Sequence, residues 1–220
     1  MILIPVTDLS TAKQRLATVL DQPQRTELAQ AMLHDVAAEI AAWSGRPACS
    51  LVSGDPLAIE LAKQYDFELI ADRLNPGETG AIEMATSLCV ARGIGYTLVI
   101  PADIPLIRAS ELEQILAHAP ETGSVLAPAA DGRGTNAAFR RPANLFALRF
   151  GNDSFKPHLA AARATGKPCV VLQLPSLALD VDNPSDLRQL LAQPGETRTQ
   201  RLLRRWKLED ALPAAESGAV

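Results

Sequence analysis

Short apolar runs alternate along the chain with longer segments of helical periodicity, and no other feature of the sequence constrains the fold as much. The apolar runs lie at 2–6, 48–53, 67–71, 96–101, 124–128, 136–140 and 168–174. Helices are predicted between them at about 11–19, 23–43, 55–64, 79–92, 109–118, 154–165 and 184–192. This alternation is typical of a mostly parallel sheet covered by helices on both faces. We therefore predict an α/β fold whose ligands bind beyond the carboxyl ends of the strands.

The size and charge of the chain narrow the kinds of partner that it can have. A chain of 220 residues suits one α/β domain, or one domain with a small appendage. Its formal net charge of −4 provides no basic surface for nucleic acid, whose binding depends on lysine and arginine. The sequence shows neither the pattern of a signal peptide nor a run of about 18 apolar residues. We expect a cytoplasmic protein that binds neither nucleic acid nor a membrane.

The character of the sequence changes near its carboxyl end. We predict a main domain over 1–192 and a C-terminal segment over 193–220, which contains a basic amphipathic helix at about 197–210 and a tail expected to be disordered. Two leucines and Trp206 give this helix an apolar side, which favours docking on the core. A partner subunit or an anionic surface is the alternative.

A polar segment follows the first predicted strand and supplies two cations. It runs from Thr7 to Leu16 and includes Lys13 and Arg15. Free amides at the start of a helix attract phosphate, and the two side chains add positive charge. The segment lacks glycine and is therefore not a Walker A loop. A solvated first helical turn without a ligand is the alternative interpretation.

Carboxylates follow two other extended segments. Asp103 comes directly after a buried strand, in a turn that contains two prolines. Asp180 and Asp182 are two residues apart in an extended stretch, so their side chains point to the same side. Because crowded carboxylates repel each other unless a cation neutralises them, the three residues predict a metal site. Alternatively, Asp103 caps a helix and Asp182 forms a turn.

Three further segments offer polar groups to a small ligand. Thr135 and Asn136 adjoin two glycines in a stretch that also fits a plain hairpin turn. Gly151 and Ser154 lie at a predicted helix start, where free amides attract anions and where Ser154 can also act as a cap. The polar loop at 72–81 can contact a base or ribose, although a plain connection is equally consistent with its composition.

The remaining metal-binding residue types show no ligand spacing. The three cysteines are far apart, and the three histidines are also scattered. A bound metal would therefore be held by carboxylates, which favours a hard cation such as Mg²⁺.

Six segments occur in an order that resembles the family of 2-phospho-L-lactate, phosphoenolpyruvate and 3-phospho-D-glycerate guanylyltransferases of coenzyme F-420 biosynthesis. They are PVTDLSTAKQRLA, the loop that contains Leu74 and Asn75, IPADIPLI, GRGTNAAF, FGNDSFKPH and LALDVDNPSDL, within about residues 1–192. The resemblance implies a Rossmann-like, GT-A-type nucleotidyltransferase fold. It also implies transfer of GMP from GTP to the phosphate of a three-carbon acid, with release of pyrophosphate.

The resemblance also implies roles for individual residues. In the family, the residues matching Asp103, Asp180 and Asp182 hold Mg²⁺, and the loop matching Lys13 and Arg15 surrounds the GTP phosphates. We predict Lys13, Arg15 and Asp103 as the catalytic set.

Two ligand sites complete the prediction. The residues that match the phospho-acid site are Thr135, Gly151 and Ser154, to which we add the neighbouring Asn136. The loop matching Asn75 lies near the nucleotide in the family, and Gly80 is added to this nucleotide site.

Other functions remain alternatives. A molybdopterin or sugar-phosphate nucleotidyltransferase would share the sheet and the aspartates but usually has a glycine-rich first loop. A glycosyltransferase typically carries a tight Asp-x-Asp, whereas this strand ends in Asp103-Ile-Pro. A non-catalytic nucleotide-binding partner of the downstream F-420 assembly enzyme is a different class of protein. A homodimer, a contact with that downstream enzyme and the identity of the acid stay open.

Overall fold

The computed structural model describes residues 1–72, 77–151 and 153–208. These residues contain a seven-stranded sheet in the order β3-β2-β1-β4-β6-β5-β7. Its strands are β1 (Ile2–Pro5), β2 (Cys49–Ser53), β3 (Glu68–Ala71), β4 (Thr97–Val99), β5 (Gly123–Pro128), β6 (Thr135–Arg141) and β7 (Cys169–Val171). Strand β6 is antiparallel to β4 and β5, and the other neighbouring strands are parallel. The predicted mostly parallel α/β sheet is confirmed.

Helices cover both faces of this sheet. They are α1 (Gln22–Ala42), α2 (Pro56–Gln64), α3 (Gly77–Ala91), α4 (Ala109–Ala117), α5 (Phe155–Ala164), α6 (Pro184–Ala192) and α7 (Arg198–Arg205). Apolar side chains of α1, α2, α4, α6 and α7 form the core on one face, whereas α3 and α5 pack on the other. The interior strand β1 is buried on both faces, because Ile2 and Ile4 face the first core and Leu3 faces the second. Such two-sided burial explains why this strand reads as a continuous apolar run.

The helix predicted at 11–19 is wrong. The chain forms two short 3-10 turns there, Leu9–Thr11 and Gln14–Leu16, separated by Ala12 and Lys13. Lys13 has a φ of 55°, in the left-handed region, which an α-helix cannot contain. This backbone conformation accompanies the contact of the Lys13 side chain with distant carboxylates.

Capping residues account for several helix starts. Asp55 accepts hydrogen bonds from the amides of Leu57 and Ala58 at the start of α2. Asn183 and Asp186 form a reciprocal capping box at the start of α6. Arg108 occupies the N-cap position of α4 and makes no side-chain capping hydrogen bond.

The C-terminal helix docks on the main body of the protein. Leu202 and Leu203 of α7 are buried, and α7 packs against α1 and α6. Residues 209–220, which include the predicted tail, lie outside the described residues, and the domain boundary at residue 192 stays a prediction. In the described part of the chain, no helix is both long enough and apolar enough to cross a membrane.

Candidate active site

A polar cleft lies at the carboxyl ends of the central strands. The chain runs outward from β1 to β2 and β3 and then returns to place β4 on the other side of β1. In doubly wound sheets this reversal of strand order opens a crevice in which ligands bind. Because β6 is antiparallel to β4, the first residues of β6 lie beside the carboxyl end of β4. The cleft at this end of the sheet has a volume of about 570 Å³.

The Lys13 side chain forms ion pairs with carboxylates from two separate segments of the chain. Its Nζ lies 2.6 Å from Asp103 Oδ2 and 2.8 Å from Asp182 Oδ1, and its side chain is only 8% exposed. Burial alone would lower the pKa of Lys13, but the two carboxylates raise it above its ordinary value. Lys13 therefore stays protonated and neutralises the carboxylates that follow β4 and β7.

Arg15 adds a second cation at the rim of the cleft. Its Nη1 lies 3.4 Å from Asp182 Oδ2, and its side chain is 60% exposed. Burial would raise the pKa of Asp182, but Lys13 and then Arg15 lower it below the ordinary value. Asp182 is consequently a well-compensated carboxylate.

Two other carboxylates are poorly compensated. Burial and the nearby Asp103 charge raise the pKa of Asp180 to about 6. Burial and the charges of Asp103 and Asp182 raise the pKa of Glu78 to about 7. The cleft therefore contains more carboxylate than Lys13 and Arg15 neutralise, and a further cation would be bound favourably there.

The oxygen-rich composition of the cleft suits a hard divalent cation. Asp180 and Asp182 flank the buried Val181, whose N–H donates to the carbonyl of Asp103 at 3.1 Å. This backbone contact fixes both side chains beside Asp103. Among the described residues no three potential ligands form a complete metal-binding cluster, and the Lys13 ammonium is the cation held between two of the carboxylates. Asp103 and Asp182 are therefore close enough to share one cation, which in this structure is the Lys13 ammonium.

The loop that carries Asp180 is held by side chains from β6 and α4. Asn136 Nδ2 donates to the carbonyl of Leu177 at 2.8 Å and to Asp180 Oδ1 at 3.1 Å. Glu111 accepts from the amides of Ser176 and Leu177 at 2.9 Å and 3.2 Å. The sequence suggested a ligand contact for Asn136, whereas its amide nitrogen is engaged with the loop.

Uncharged hydroxyl groups line the other side of the cleft. Thr135 and Ser154 are buried, and their hydroxyl oxygens lie 3.2 Å apart. Ser154 occupies the N-cap position of α5, but its side chain makes no capping hydrogen bond. Arg133 pairs with Asp153 beside these hydroxyls, where both residues are exposed. This side of the cleft can donate hydrogen bonds to an anionic ligand.

The structure brings most of the predicted site residues to one place. The residues that line the cleft are Arg15, Asp103, Thr135, Asn136, Gly151, Ser154, Asp180 and Asp182. Lys13 reaches the same carboxylates from an adjoining depression. Gly80 lies in the first turn of α3, and Asn75 lies outside the described residues. The roles assigned to these residues stay predictions.

Sequence reasoning missed two acidic residues that matter for the cleft. Glu78 lines it from the first turn of α3, and Glu111 supports the Asp180 loop from α4. Neither stands in a pattern that distinguishes it from a solvated helical glutamate, and only the packing of the helices reveals these positions.

The sequence matches known guanylyltransferases over nearly its whole length. The family model described as "Guanylyl transferase CofC like" matches residues 1–217. A phosphoenolpyruvate guanylyltransferase of Roseiflexus castenholzii is 36% identical over 202 residues, which cover 92% of each chain. A 2-phospho-L-lactate guanylyltransferase of Methanothermobacter thermautotrophicus is 32% identical over 203 residues, covering 92% of this chain and 89% of the relative.

Solved structures support the same fold. A putative nucleotide-diphospho-sugar transferase from Desulfovibrio desulfuricans G20 has a TM-score of 0.74 at 21% identity, with 96% of this chain and 95% of that chain covered. A cytidylyltransferase from Leptospira borgpetersenii has a TM-score of 0.57 at 11% identity, covering 100% and 98% of the two chains. These likenesses confirm the nucleotidyltransferase type of fold. With the family match over residues 1–217, they lead to one conclusion: the chain belongs to the CofC-like guanylyltransferase family.

Proposed function

We propose that the protein transfers GMP from GTP to the phosphate of a three-carbon phospho-carboxylic acid in coenzyme F-420 biosynthesis, with release of pyrophosphate. The family membership supports guanylyl transfer, and the named relatives act on phosphoenolpyruvate or 2-phospho-L-lactate. The observation that carries the proposal is the composition of the cleft. One side holds carboxylates with Lys13, and the other presents the hydroxyls of Thr135 and Ser154.

Asp103, Asp180 and Asp182 are the residues that would hold Mg²⁺, which would neutralise charge on the nucleotide phosphates. Asp180 has the greatest need of such a cation, because burial and Asp103 raise its pKa. Lys13 keeps Asp103 and Asp182 together before the ligands bind.

In the proposed reaction, a phosphate oxygen of the acid attacks the α-phosphorus of GTP, and the bond to the pyrophosphate oxygen breaks. Arg15 is exposed at the rim, where its guanidinium can stabilise the charge on the departing pyrophosphate. The attacking phosphate is already anionic, so the step requires no general base and no protein nucleophile. The protein contributes by orienting two anionic reactants and compensating their charge.

The hydroxyl side of the cleft is the proposed acceptor site. Thr135 and Ser154 would donate hydrogen bonds to the acid, and the exposed Gly151 leaves its backbone accessible beside them. Asn136 contributes to this function indirectly, through the Asp180 loop.

A pyrophosphate-release assay tests the function. Purified protein is supplied with GTP, Mg²⁺ and one of three acids: phosphoenolpyruvate, 2-phospho-L-lactate or 3-phospho-D-glycerate. We expect release with at least one acid, a guanylylated product detectable by mass spectrometry, and much less release when ATP or CTP replaces GTP. Silence with all three acids would instead support a non-catalytic nucleotide-binding protein.

The Asp103→Asn variant tests the assignment of the carboxylates. Loss of one charge from the site is expected to lower pyrophosphate release by on the order of 100-fold, as for removal of one electrostatic contact to a transition state. Asp66→Asn is the matched control, because Asp66 is exposed and precedes β3, at the amino ends of the parallel strands and away from the cleft. Its backbone has a positive φ, which asparagine tolerates. Wild-type release by Asp103→Asn would show that the assignment is wrong.

A further inference from the structure

His158 of α5 lies behind the hydroxyl side of the cleft and contacts it directly. The side chain is 1% exposed. Its Nδ1 lies 2.9 Å from Thr135 Oγ1, and its Nε2 lies 2.8 Å from the backbone nitrogen of Arg149. The imidazole therefore connects a main-chain amide to a residue of the proposed acceptor site.

The main-chain contact determines which ring nitrogen carries the proton. A backbone N–H can only donate, so His158 Nε2 must accept the hydrogen bond from Arg149. In a neutral imidazole the other nitrogen then carries the hydrogen. Burial, followed by the charge of Arg140, lowers the pKa of His158 to about 4, so the ring is neutral near pH 7. Nδ1–H consequently donates to Thr135 Oγ1.

This tautomer sets the direction of the hydrogen bonds that follow. Thr135 Oγ1 accepts from His158 and cannot donate its own hydrogen back to the ring. Among the described residues, the other hydrogen-bond partner of Thr135 Oγ1 is Ser154 Oγ at 3.2 Å. One of the two hydroxyls donates its hydrogen to the other. The second hydroxyl hydrogen is then available to an acceptor in the cleft. The opposite tautomer would allow Thr135 to donate to the ring and would remove this preference.

We propose that His158 is a positioning residue that orients the hydroxyls of Thr135 and Ser154. The hydroxyl side of the cleft then presents a hydrogen-bond donor to an anionic oxygen of the acceptor acid. The inference rests on the proposed function for the identity of the ligand, and on the hydrogen-bond chain for its direction. His158 itself does not touch the ligand.

Two substitutions separate the two contacts of the ring. In His158→Gln, the amide lies near the position of Nε2, so its oxygen can accept from Arg149 while the donor to Thr135 is lost. In His158→Asn, the amide lies near the position of Nδ1 and can still donate to Thr135 while the contact with Arg149 is lost. Both variants remove the ring from the core and are expected to lower the melting temperature to a similar extent.

The two variants should differ in their use of the acceptor. We expect His158→Gln to raise KM for the phospho-acid about tenfold, the effect of roughly one hydrogen bond to a charged group, with KM for GTP unchanged. His158→Asn should raise the same KM by less than about threefold. Equal effects of both variants on this KM, or a change confined to kcat, would overturn the positioning role.

A spectroscopic measurement examines the tautomer without relying on activity. Long-range ¹H–¹⁵N spectra of the wild-type protein at pH 7 should show a neutral His158 protonated at Nδ1, with His158→Gln identifying the signals. Addition of at least one of phosphoenolpyruvate, 2-phospho-L-lactate and 3-phospho-D-glycerate should shift these signals. Protonation at Nε2, or signals that respond to none of the three acids, would overturn the inference. If no acid supports pyrophosphate release but the Nδ1–H signal is present and responds, the proposed function is wrong and the donor orientation is supported.

Discussion

Lys13 is the residue on which the acidic side of the cleft depends. Its left-handed backbone interrupts the first loop, and its ammonium lies between carboxylates that are 90 and 169 positions away in the chain. A buried ion pair of this kind is stabilising only while both signs of charge are present, since each charge has lost part of its hydration. Lys13 is thus both a candidate phosphate ligand and the counter-ion of the ligand-free site.

Replacement of Lys13 by methionine should expose this second role. Asp103 and Asp182 would then face each other without the cation that lowers the pKa of Asp182. We expect a lower melting temperature in EDTA, a larger upward shift on addition of Mg²⁺ than in the wild type, and at least a tenfold loss of pyrophosphate release. Scanning fluorimetry with and without Mg²⁺ measures the shift. Lys63→Met on the exposed side of α2 is the control, and equal Mg²⁺ responses of Lys13→Met and the wild type would refute the counter-ion role.

Asn136→Ala should act through the position of Asp180. The substitution leaves the carbonyl of Leu177 and one oxygen of Asp180 without their donor, at a cost of about 1–3 kcal/mol in unfolding free energy. We also expect a higher Mg²⁺ concentration for half-maximal activity, because the loop is less well placed. Urea denaturation and an Mg²⁺ titration measure the two effects, with exposed Asn144→Ala as the control. Loss of stability without a change in the Mg²⁺ requirement would limit Asn136 to a structural role.

At the scale of elements, charged side chains fasten helices and loops to one another through main-chain amides. Glu111 of α4 holds the loop that leads to Asp180. Asp35 of α1 accepts from the amides of Arg198 and Thr199 at 2.7 Å and 2.8 Å and thereby caps α7. Helix starts are favourable places for such carboxylates, because the first amides have no partner within the helix. The basic helix α7 is in this way attached to an acidic residue of the main body.

Asp35→Ala should loosen α7 without affecting the reaction. Loss of a helix cap costs about 1 kcal/mol, and the buried Leu202 and Leu203 still favour docking. We expect faster amide exchange over α7 and unchanged KM values for GTP and acid, as measured by hydrogen exchange and initial rates. Glu196→Ala, which removes an exposed ion pair with Arg204, is the control and should have little effect. Unchanged exchange in Asp35→Ala would contradict the capping role.

At the scale of the whole molecule, buried titratable groups oppose each other in their effect on stability. The pKa of His158 is lowered to about 4, so between pH 4 and 6.5 the unfolded state binds more protons and this histidine makes stability rise with pH. The pKa values of Asp180 and Glu78 are raised to about 6 and about 7, so over similar pH ranges these groups make stability fall as pH rises. His158 therefore offsets part of the pH dependence that Asp180 and Glu78 contribute.

His158→Gln should make stability fall more steeply as pH rises. The variant lacks the opposing contribution of the histidine, so its stability should decline from pH 4 to 6.5 relative to the wild type. Urea denaturation at pH 4.5, 5.5 and 6.5 gives the difference between the two proteins. A constant difference across this range would mean that His158 has an ordinary pKa in the folded protein.

The sequence by itself determined the strands, all but one of the main-domain helices and the carboxylates that follow the strands. These features depend on periodicity and on residues adjacent in the chain, such as the Asn183–Asp186 capping box. The order of motifs also indicated the family that the comparisons confirmed. The helix predicted from the local pattern at 11–19 was wrong, because Lys13 adopts a left-handed backbone conformation there.

Only the tertiary structure decided what the functional side chains contact. The pairing of Lys13 with Asp103 and Asp182, the bracing of Asp180 by Asn136 and the contact of His158 with Thr135 join residues from separate elements. Their hydrogen bonds and pKa values depend on burial and on the direction of neighbouring donors, which arise when the sheet and helices pack. Residue types and spacing located the site, but the charge balance and donor direction within it are properties of the folded chain.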